Sequence, residues 1–216
     1  MIVCGIDEAG KGPCIGPLVI CGLCIDEKDE LKLRVLGVKD SKQLTPLRRE
    51  MMLDEIKKIA KSYKIIKVWP DEIDNAVNTI NLNNLESDKT AELINELKPD
   101  KVFIDCPSPN IKEYKRTIQK KLKVKAVLVP EHKADANYPV VSASSIIAKV
   151  ERDREIENLK KKFNVEFGSG YSSDETTQKF IKENWEKPEY KELFRHTWET
   201  MRRLKTMKGQ KRLGEF

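Results

Sequence analysis

The sequence predicts an α/β fold: a mixed five-stranded sheet flanked by helices, followed by a helical C-terminal region. Three observations carry this. Short β-prone apolar runs alternate with longer runs of helical period through the first two-thirds of the chain. The first two apolar runs are separated only by a turn rich in Gly and Pro, which implies an antiparallel start, whereas the later strand–helix alternation implies parallel strands. Beyond about residue 165 no strand signal remains. The chain therefore divides into residues 1–165, carrying the sheet, and residues 166–216, helical with a basic tail.

Residues 2–6 are short, apolar and end at Asp7 and Glu8; residues 9–17 are turn formers, and residues 18–25 read as a second strand. Thr45 and Pro46 start a helix, with Thr as N-cap and Pro at the first helical position, and helical period continues over residues 47–63. Residues 65–69 read as a third strand, and residues 70–77 and 82–97 as helices. The fourth strand covers residues 101–105 and is stopped by Cys106-Pro107. Residues 111–122 are helical and residues 124–129 form the fifth strand. Residues 138–163 read as one long helix, small and apolar in its first half and charged in its second, as expected of a helix buried at one end only. Gly168-Ser-Gly-Tyr171 is a loop.

Lys and Arg number 41 against 35 Asp and Glu, a net charge of +6. That balance suits a polyanionic partner, and it equally suits solvated helix faces laced with ion pairs. The cysteines, Cys4, Cys14, Cys21, Cys24 and Cys106, sit among apolar residues and read as buried thiols of a reducing cytoplasm. Cys21 and Cys24 have metal-ligand spacing, but on a strand they point to opposite faces. No leader opens the chain, and no uncharged apolar run is long enough to span a bilayer. A cytoplasmic protein is expected.

Gly10, Gly12 and Gly16 invite a dinucleotide-binding reading. That motif needs a helix directly after its glycines; here Pro13 and Pro17 intervene and a strand follows. The glycines instead let backbone approach a ligand without a side chain in the way. Four acids stand out by position. Asp7 and Glu8 end the first strand, Asp105 ends the fourth, and Asp135 follows the fifth. Any one of them reads equally well as a turn former or cap. Together they converge if strands one, four and five are neighbours. Carboxylates so crowded repel by several kcal/mol. Hard divalent cations with oxygen ligands relieve this, and two ions about 4 Å apart form a clamp for phosphodiester hydrolysis.

These residues also carry a resemblance. Ile6-Asp-Glu-Ala-Gly-Lys-Gly-Pro13, Lys39-Asp-Ser-Lys42, Phe103-Ile-Asp105, His132-Lys-Ala-Asp135, Ser142-Ala-Ser-Ser-Ile-Ile-Ala-Lys149 and Gly168-Ser-Gly-Tyr171 match, in order, the motifs of ribonuclease HII, and the chain resembles its archaeal members from residue 1 to about residue 200. The resemblance implies a ribonuclease H-like catalytic domain over residues 1–165 and a metal-binding catalytic set of Asp7, Glu8, Asp105 and Asp135. It implies two Mg²⁺ or Mn²⁺ ions, hydrolysis of RNA in RNA–DNA hybrids, and incision of DNA duplexes 5′ of embedded ribonucleotides, leaving 3′-hydroxyl and 5′-phosphate ends. It implies that backbone groups of Gly10, Lys11 and Gly12 sense the ribose 2′-hydroxyl, that Tyr171 packs on the following sugar, and that Lys39, Ser41 and Lys42 bind phosphates. Lys11 stands where Arg is commoner in the family, and Ser172 where Pro is common. His132 fits a structural role and a part in proton transfer equally, and stays outside the catalytic set.

The basic stretch from Arg195 to Arg212 reads either as a solvated helix or as a contact for the duplex backbone. Gln210, Leu213 and Phe216 are spaced like the Gln-x-x-Leu-x-x-aromatic peptide that docks on sliding clamps (PCNA), with the motif's second aromatic missing. The expected partners are thus nucleic acid and, through this tail, a clamp, with the protein itself a monomer and no membrane involved.

Overall fold

A computed structural model describes the backbone of residues 1–38 and 44–213 and the side chains of those up to residue 207. Strands β1 (Ile2–Ala9) and β2 (Leu18–Asp26) pair antiparallel, with Asp7 opposite Cys21. Helices α1 (Glu30–Leu36) and α2 (Pro46–Ile59) lead to β3 (Ser62–Val68), which pairs antiparallel with β2. Helices α3 (Pro70–Thr79) and α4 (Leu82–Leu97) precede β4 (Lys101–Asp105), and α5 (Ile111–Lys121) precedes β5 (Val127–Glu131). β4 lies parallel to β1 and β5 parallel to β4, so the sheet order is β3-β2-β1-β4-β5. The expected mixed five-stranded sheet is present. The one-turn α6 (Ala134–Asn137) and the long α7 (Pro139–Phe163) follow, then α8 (Glu175–Asn184), a 3-10 segment (Pro188–Leu193) and α9 (Glu199–Leu213).

Strand alternation sorts the core onto two faces. Val3, Ala9, Cys21 and Leu23 point to the face covered by α7 and α2. Cys4, Ile6, Ile20 and Cys24 point to the face covered by α4 and α5. α7 crosses β1 at bare backbone: a Cβ on Gly5 would stand 2.3 Å from the Val140 carbonyl oxygen. The small residues of the first half of α7 make that approach possible, and residues 140–148 are all buried, as the sequence suggested. A third cluster joins Cys14 and Ile15 of the β1–β2 turn and Ile156 and Leu159 of α7 to Phe167, Phe180, Leu193 and Phe194. The C-terminal region thus shares a core with the turn that follows β1.

The differences from expectation have local causes. β1 runs past Ile6 to Ala9, because Glu8 and Ala9 still pair with Ile20 and Val19. α2 stops at Ile59 and residues 62 and 63 join β3, since the Lys61 amide donates to the Cys24 carbonyl and the free edge of β2 takes up Ser62 and Tyr63. β5 starts only at Val127 and continues through Pro130, which is tolerated because β5 is an edge strand. α6 is separate from α7 because Tyr138 precedes a proline and is held extended (φ −119°, ψ 114°). α1 was not anticipated; it buries only Leu33 and leaves Leu31 and Val35 exposed, so it carries no apolar stripe to read.

Candidate active site

Asp7 and Asp105 sit on adjacent parallel strands and point to the same face, towards α7; Asp135 enters from α6. Their carboxylates offer oxygens that all lie within 4.8 Å of one another. The cluster is held by its backbone: the Ala134 amide donates to Asp105 Oδ1 at 3.1 Å, and the Glu8 amide donates to Asp7 Oδ1 at 2.7 Å. Lys133, in a left-handed conformation (φ 58°), turns the chain so that residues 134 and 135 face β4. Asp7 is 6% exposed. Burial, then the charge of Asp105, push its carboxyl up to about 7, against hydrogen bonds from Ser145 and the Glu8 amide. Three carboxylates gathered so closely, one of them resisting ionisation, offer only hard oxygen donors and fit a divalent cation such as Mg²⁺ or Mn²⁺.

Glu8 does not join this trio. As Asp7's neighbour on a strand it points to the opposite face, where α4 presents Glu86. Lys11 stands between the two acids, with Nζ 2.8 Å from Glu86 Oε2 and 3.8 Å from Glu8 Oε1, and it also reaches the Pro107 carbonyl. Glu86 is fully buried, and its Oε1 has no hydrogen-bond partner among the described residues. Burial raises the carboxyls of both Glu8 and Glu86; the charge of Glu86 adds to the rise at Glu8, and Lys11 opposes the rise at both. The Lys11 ammonium is therefore committed to carboxylates rather than projecting from the loop.

Gly10, Lys11 and Gly12 lie directly beyond β1. Gly10 has φ 83°, and a Cβ there would stand 2.7 Å from the Pro17 carbonyl oxygen. Tyr171 is beside this loop: a Cβ on Gly12 would be 3.9 Å from its ring, and the Arg152 guanidinium stacks 4.9 Å from the ring centroid. The Tyr171 loop is fixed by Asp174, which caps α8 and also accepts from the Ser169 amide and hydroxyl, contacts that lower its carboxyl to about 2. Arg195 reaches the glycine loop from the C-terminal side. It donates to the carbonyls of Gly10 (2.6 Å), Lys11 (2.8 Å) and Gly16 (2.9 and 3.0 Å), and stacks on Trp198, whose indole N–H donates to the Gly12 carbonyl at 3.1 Å.

The sequence placed Arg195 in the basic tail. That is corrected here: the side chain is fully buried and satisfied by backbone carbonyls, and it is unavailable to a phosphate. Sequence reasoning also missed Glu86, Arg152 and Trp198. Glu86 had a signal, an acid at helical spacing between Leu82 and Thr90 on the apolar face of α4. His132 places Nδ1 3.2 Å from the Cys106 carbonyl, a contact that orients the β5–α6 turn. Lys39, Ser41 and Lys42, and the side chains of Gln210, Leu213 and Phe216, lie outside the described residues. Cys21 and Cys24 are buried on opposite faces, so their spacing forms no metal pair.

A sheet of this order with acids at the ends of its two central parallel strands is the ribonuclease H-like architecture, and the comparisons bear on its class. The family model described as Ribonuclease HII matches residues 4–201. Ribonuclease HII of Pyrococcus furiosus is 47% identical over 223 residues, covering 100% of this chain and 98% of that protein. The crystal structure of the ribonuclease H2 from Pyrococcus horikoshii superposes with a TM-score of 0.85 at 45% identity, covering 96% of this chain and 98% of that one. The structure of the PCNA:RNase HII complex from Archaeoglobus fulgidus gives 0.84 at 43% identity, covering 92% and 96%. The protein is a ribonuclease H, a nuclease acting on the RNA of RNA–DNA hybrids. Within that class the chain belongs to the ribonuclease HII family. Among the described residues no helix is long and apolar enough to cross a membrane.

Proposed function

We propose that this chain cuts the RNA strand of RNA–DNA hybrids and incises DNA duplexes on the 5′ side of an embedded ribonucleotide, serving ribonucleotide removal in replication and repair. The observation that carries this reading is the meeting of Asp7, Asp105 and Asp135 within 4.8 Å at one end of the sheet. These three would hold the divalent ions, with Glu8 completing the set from the opposite side of the strand. When bound, two Mg²⁺ or Mn²⁺ ions supply an activated water and charge stabilisation of the leaving oxygen.

The remaining steps fall to the chain's own groups. Asp7, Asp105 and Asp135 supply fixed negative charge, anchored by the amides of Glu8 and Ala134. The exposed Gly12 edge of the glycine loop admits a sugar without steric obstruction and senses its 2′-hydroxyl, the one group that marks ribose. Tyr171 packs on the neighbouring deoxyribose, with Arg152 stacked behind its ring. Lys39, Ser41 and Lys42 bind flanking phosphates. Residues 1–165 act as the catalytic unit and residues 166–216 as its helical supplement. The protein works in the cytoplasm as a monomer, and Gln210, Leu213 and Phe216 dock on a sliding clamp. The solved relative from Archaeoglobus fulgidus, a PCNA complex, supports that last reading.

The test is a cleavage map on a DNA duplex holding one ribonucleotide. With Mg²⁺ the wild type is expected to cut once, 5′ of the ribonucleotide, leaving 3′-hydroxyl and 5′-phosphate ends. Asp105→Asn is expected to keep the fold and lose cleavage. Undiminished cutting by that variant removes the mechanism, and equal cutting of an all-DNA duplex removes the substrate.

A further inference from the structure

Three successive carbonyls, those of Gly10, Lys11 and Gly12, are all engaged from one side, by Arg195 and Trp198. In a trans peptide the carbonyl and the following N–H point in opposite directions, and among the described residues no peptide is cis. Pulling in the Gly10 and Lys11 carbonyls therefore turns the amides of Lys11 and Gly12 outward. Neither amide donates a hydrogen bond within the described residues, and Gly12 is exposed. Pro13 has no amide to turn, so this part of the loop offers two outward donors, those of Lys11 and Gly12.

The brace is itself fixed to the rest of the protein. The Arg195 amide donates to the Cys14 carbonyl, Ile15 pairs with Phe194, and the Gly16 amide donates to the Leu193 carbonyl. On its far side, Asp74 of α3 accepts from the amides of His196 and Thr197 and from the Thr197 hydroxyl. A fully buried guanidinium spending its donors on backbone carbonyls, with no salt bridge to a carboxylate among the described residues, is costly to assemble. It is explained if the orientation of those peptides matters.

We propose that segment 194–198 sets the enzyme's preference for ribose, with Arg195 and Trp198 as positioning residues that aim the Lys11 and Gly12 amides at the sugar hydroxyl. This deepens the ribonucleotide reading above and rests on it. Arg195 and Trp198 touch no substrate; they act through the loop.

Trp198→Phe is the discriminating variant, because it keeps an aromatic ring against Arg195 and removes only the donor to Gly12. Affinity is measured without divalent ions for two duplexes of one sequence, one all-DNA and one with a single ribonucleotide. Phosphate contacts dominate the first and are blind to the loop. The wild type is expected to prefer the ribonucleotide duplex. Trp198→Phe is expected to lose about five-fold of that preference, the effect of one net hydrogen bond, with all-DNA affinity and melting temperature unchanged. Trp185→Phe, an indole change beside the same C-terminal cluster, is expected to leave the preference intact. Arg195→Lys, which keeps charge but cannot span the three carbonyls, is expected to lose more than Trp198→Phe. A preference kept within two-fold in Trp198→Phe overturns the brace while leaving the enzyme's substrate standing. Parallel loss for both duplexes makes the role merely structural and also overturns it. A wild type blind to the ribonucleotide removes the substrate reading, and the brace with it.

Discussion

Asp7→Asn should make the metal-free protein more stable while destroying its activity. The Asp7 carboxyl, ordinarily near 3.8, is pushed up to about 7 by burial and by Asp105. A carboxyl with a raised folded-state pKa holds its proton more tightly in the fold than in the unfolded chain. The metal-free fold therefore loses stability as pH climbs from about 4 to about 7, and stays at the lower level above that. About three units at 1.36 kcal/mol each set an upper bound of about 4 kcal/mol for the ionised form at pH 8. Asn keeps an oxygen for the Glu8 amide and carries no charge, so about 2–4 kcal/mol of this is recovered. For a chain of this size that corresponds to a rise in melting temperature of about 5–15 °C. The assay is thermal unfolding in EDTA from pH 4 to pH 9, repeated with excess Mg²⁺. Wild type should gain about 2.7 kcal/mol from Mg²⁺ at a hundred times its dissociation constant, and Asp7→Asn much less. An Asp7→Asn protein that melts below the wild type in EDTA at pH 8, or gains as much from Mg²⁺, refutes the reasoning.

The same electrostatics orders two further sets of variants. Lys11→Met leaves Glu8 and Glu86 facing each other without their cation and should cost about 1–3 kcal/mol, discounted for the partial exposure of Lys11, whereas Glu86→Gln removes a buried charge and should cost less; urea midpoints in the reverse order contradict the pairing. Asp174, held near 2 by Ser169 and the α8 amides, contributes stability above its unfolded pKa that is lost as pH falls towards 2. Asp174→Asn, which keeps a capping oxygen and loses the charge, should cost about 1 kcal/mol at neutral pH after discounting for solvent screening and markedly less at pH 2, where Asp174 is itself half protonated, and a cost that persists unchanged in acid denies the charge any part in it.

Much of the fold was legible because its signals are local. Short β-prone apolar runs marked the five strands, Thr45 and Pro46 marked the start of α2, and the small-residue half of α7 announced the helix that lies on Gly5. The errors sit where a partner decides. Whether residues 62 and 63 are helix or strand depends on the free edge of β2, and Pro130 survives in β5 only because that strand is an edge. In the site, Asp7, Asp105 and Asp135 could be anticipated because each follows or ends an apolar strand. Glu8 was expected beside them from the resemblance, and strand alternation turns its side chain to the face of Glu86. Arg195 was hidden by its neighbours: amid other basic residues nothing local distinguishes a buried guanidinium from a solvated one. Only the long-range contact with residues 10–16 does so.

That contact spans 185 residues. During synthesis, at roughly 5–20 residues per second, Arg195 is made roughly 10–40 s after Gly10. Until then the turn behind β1 has its glycines but nothing to orient them, and every strand of the sheet can already be paired. On the proposal above, the nascent chain acquires its acids early and orients its glycine loop last. A ribosome-bound fragment ending before residue 195 holds Asp7, Asp105 and Asp135 and lacks the guanidinium that orients the loop, so on that proposal selectivity for ribose arrives only after the acids are in place.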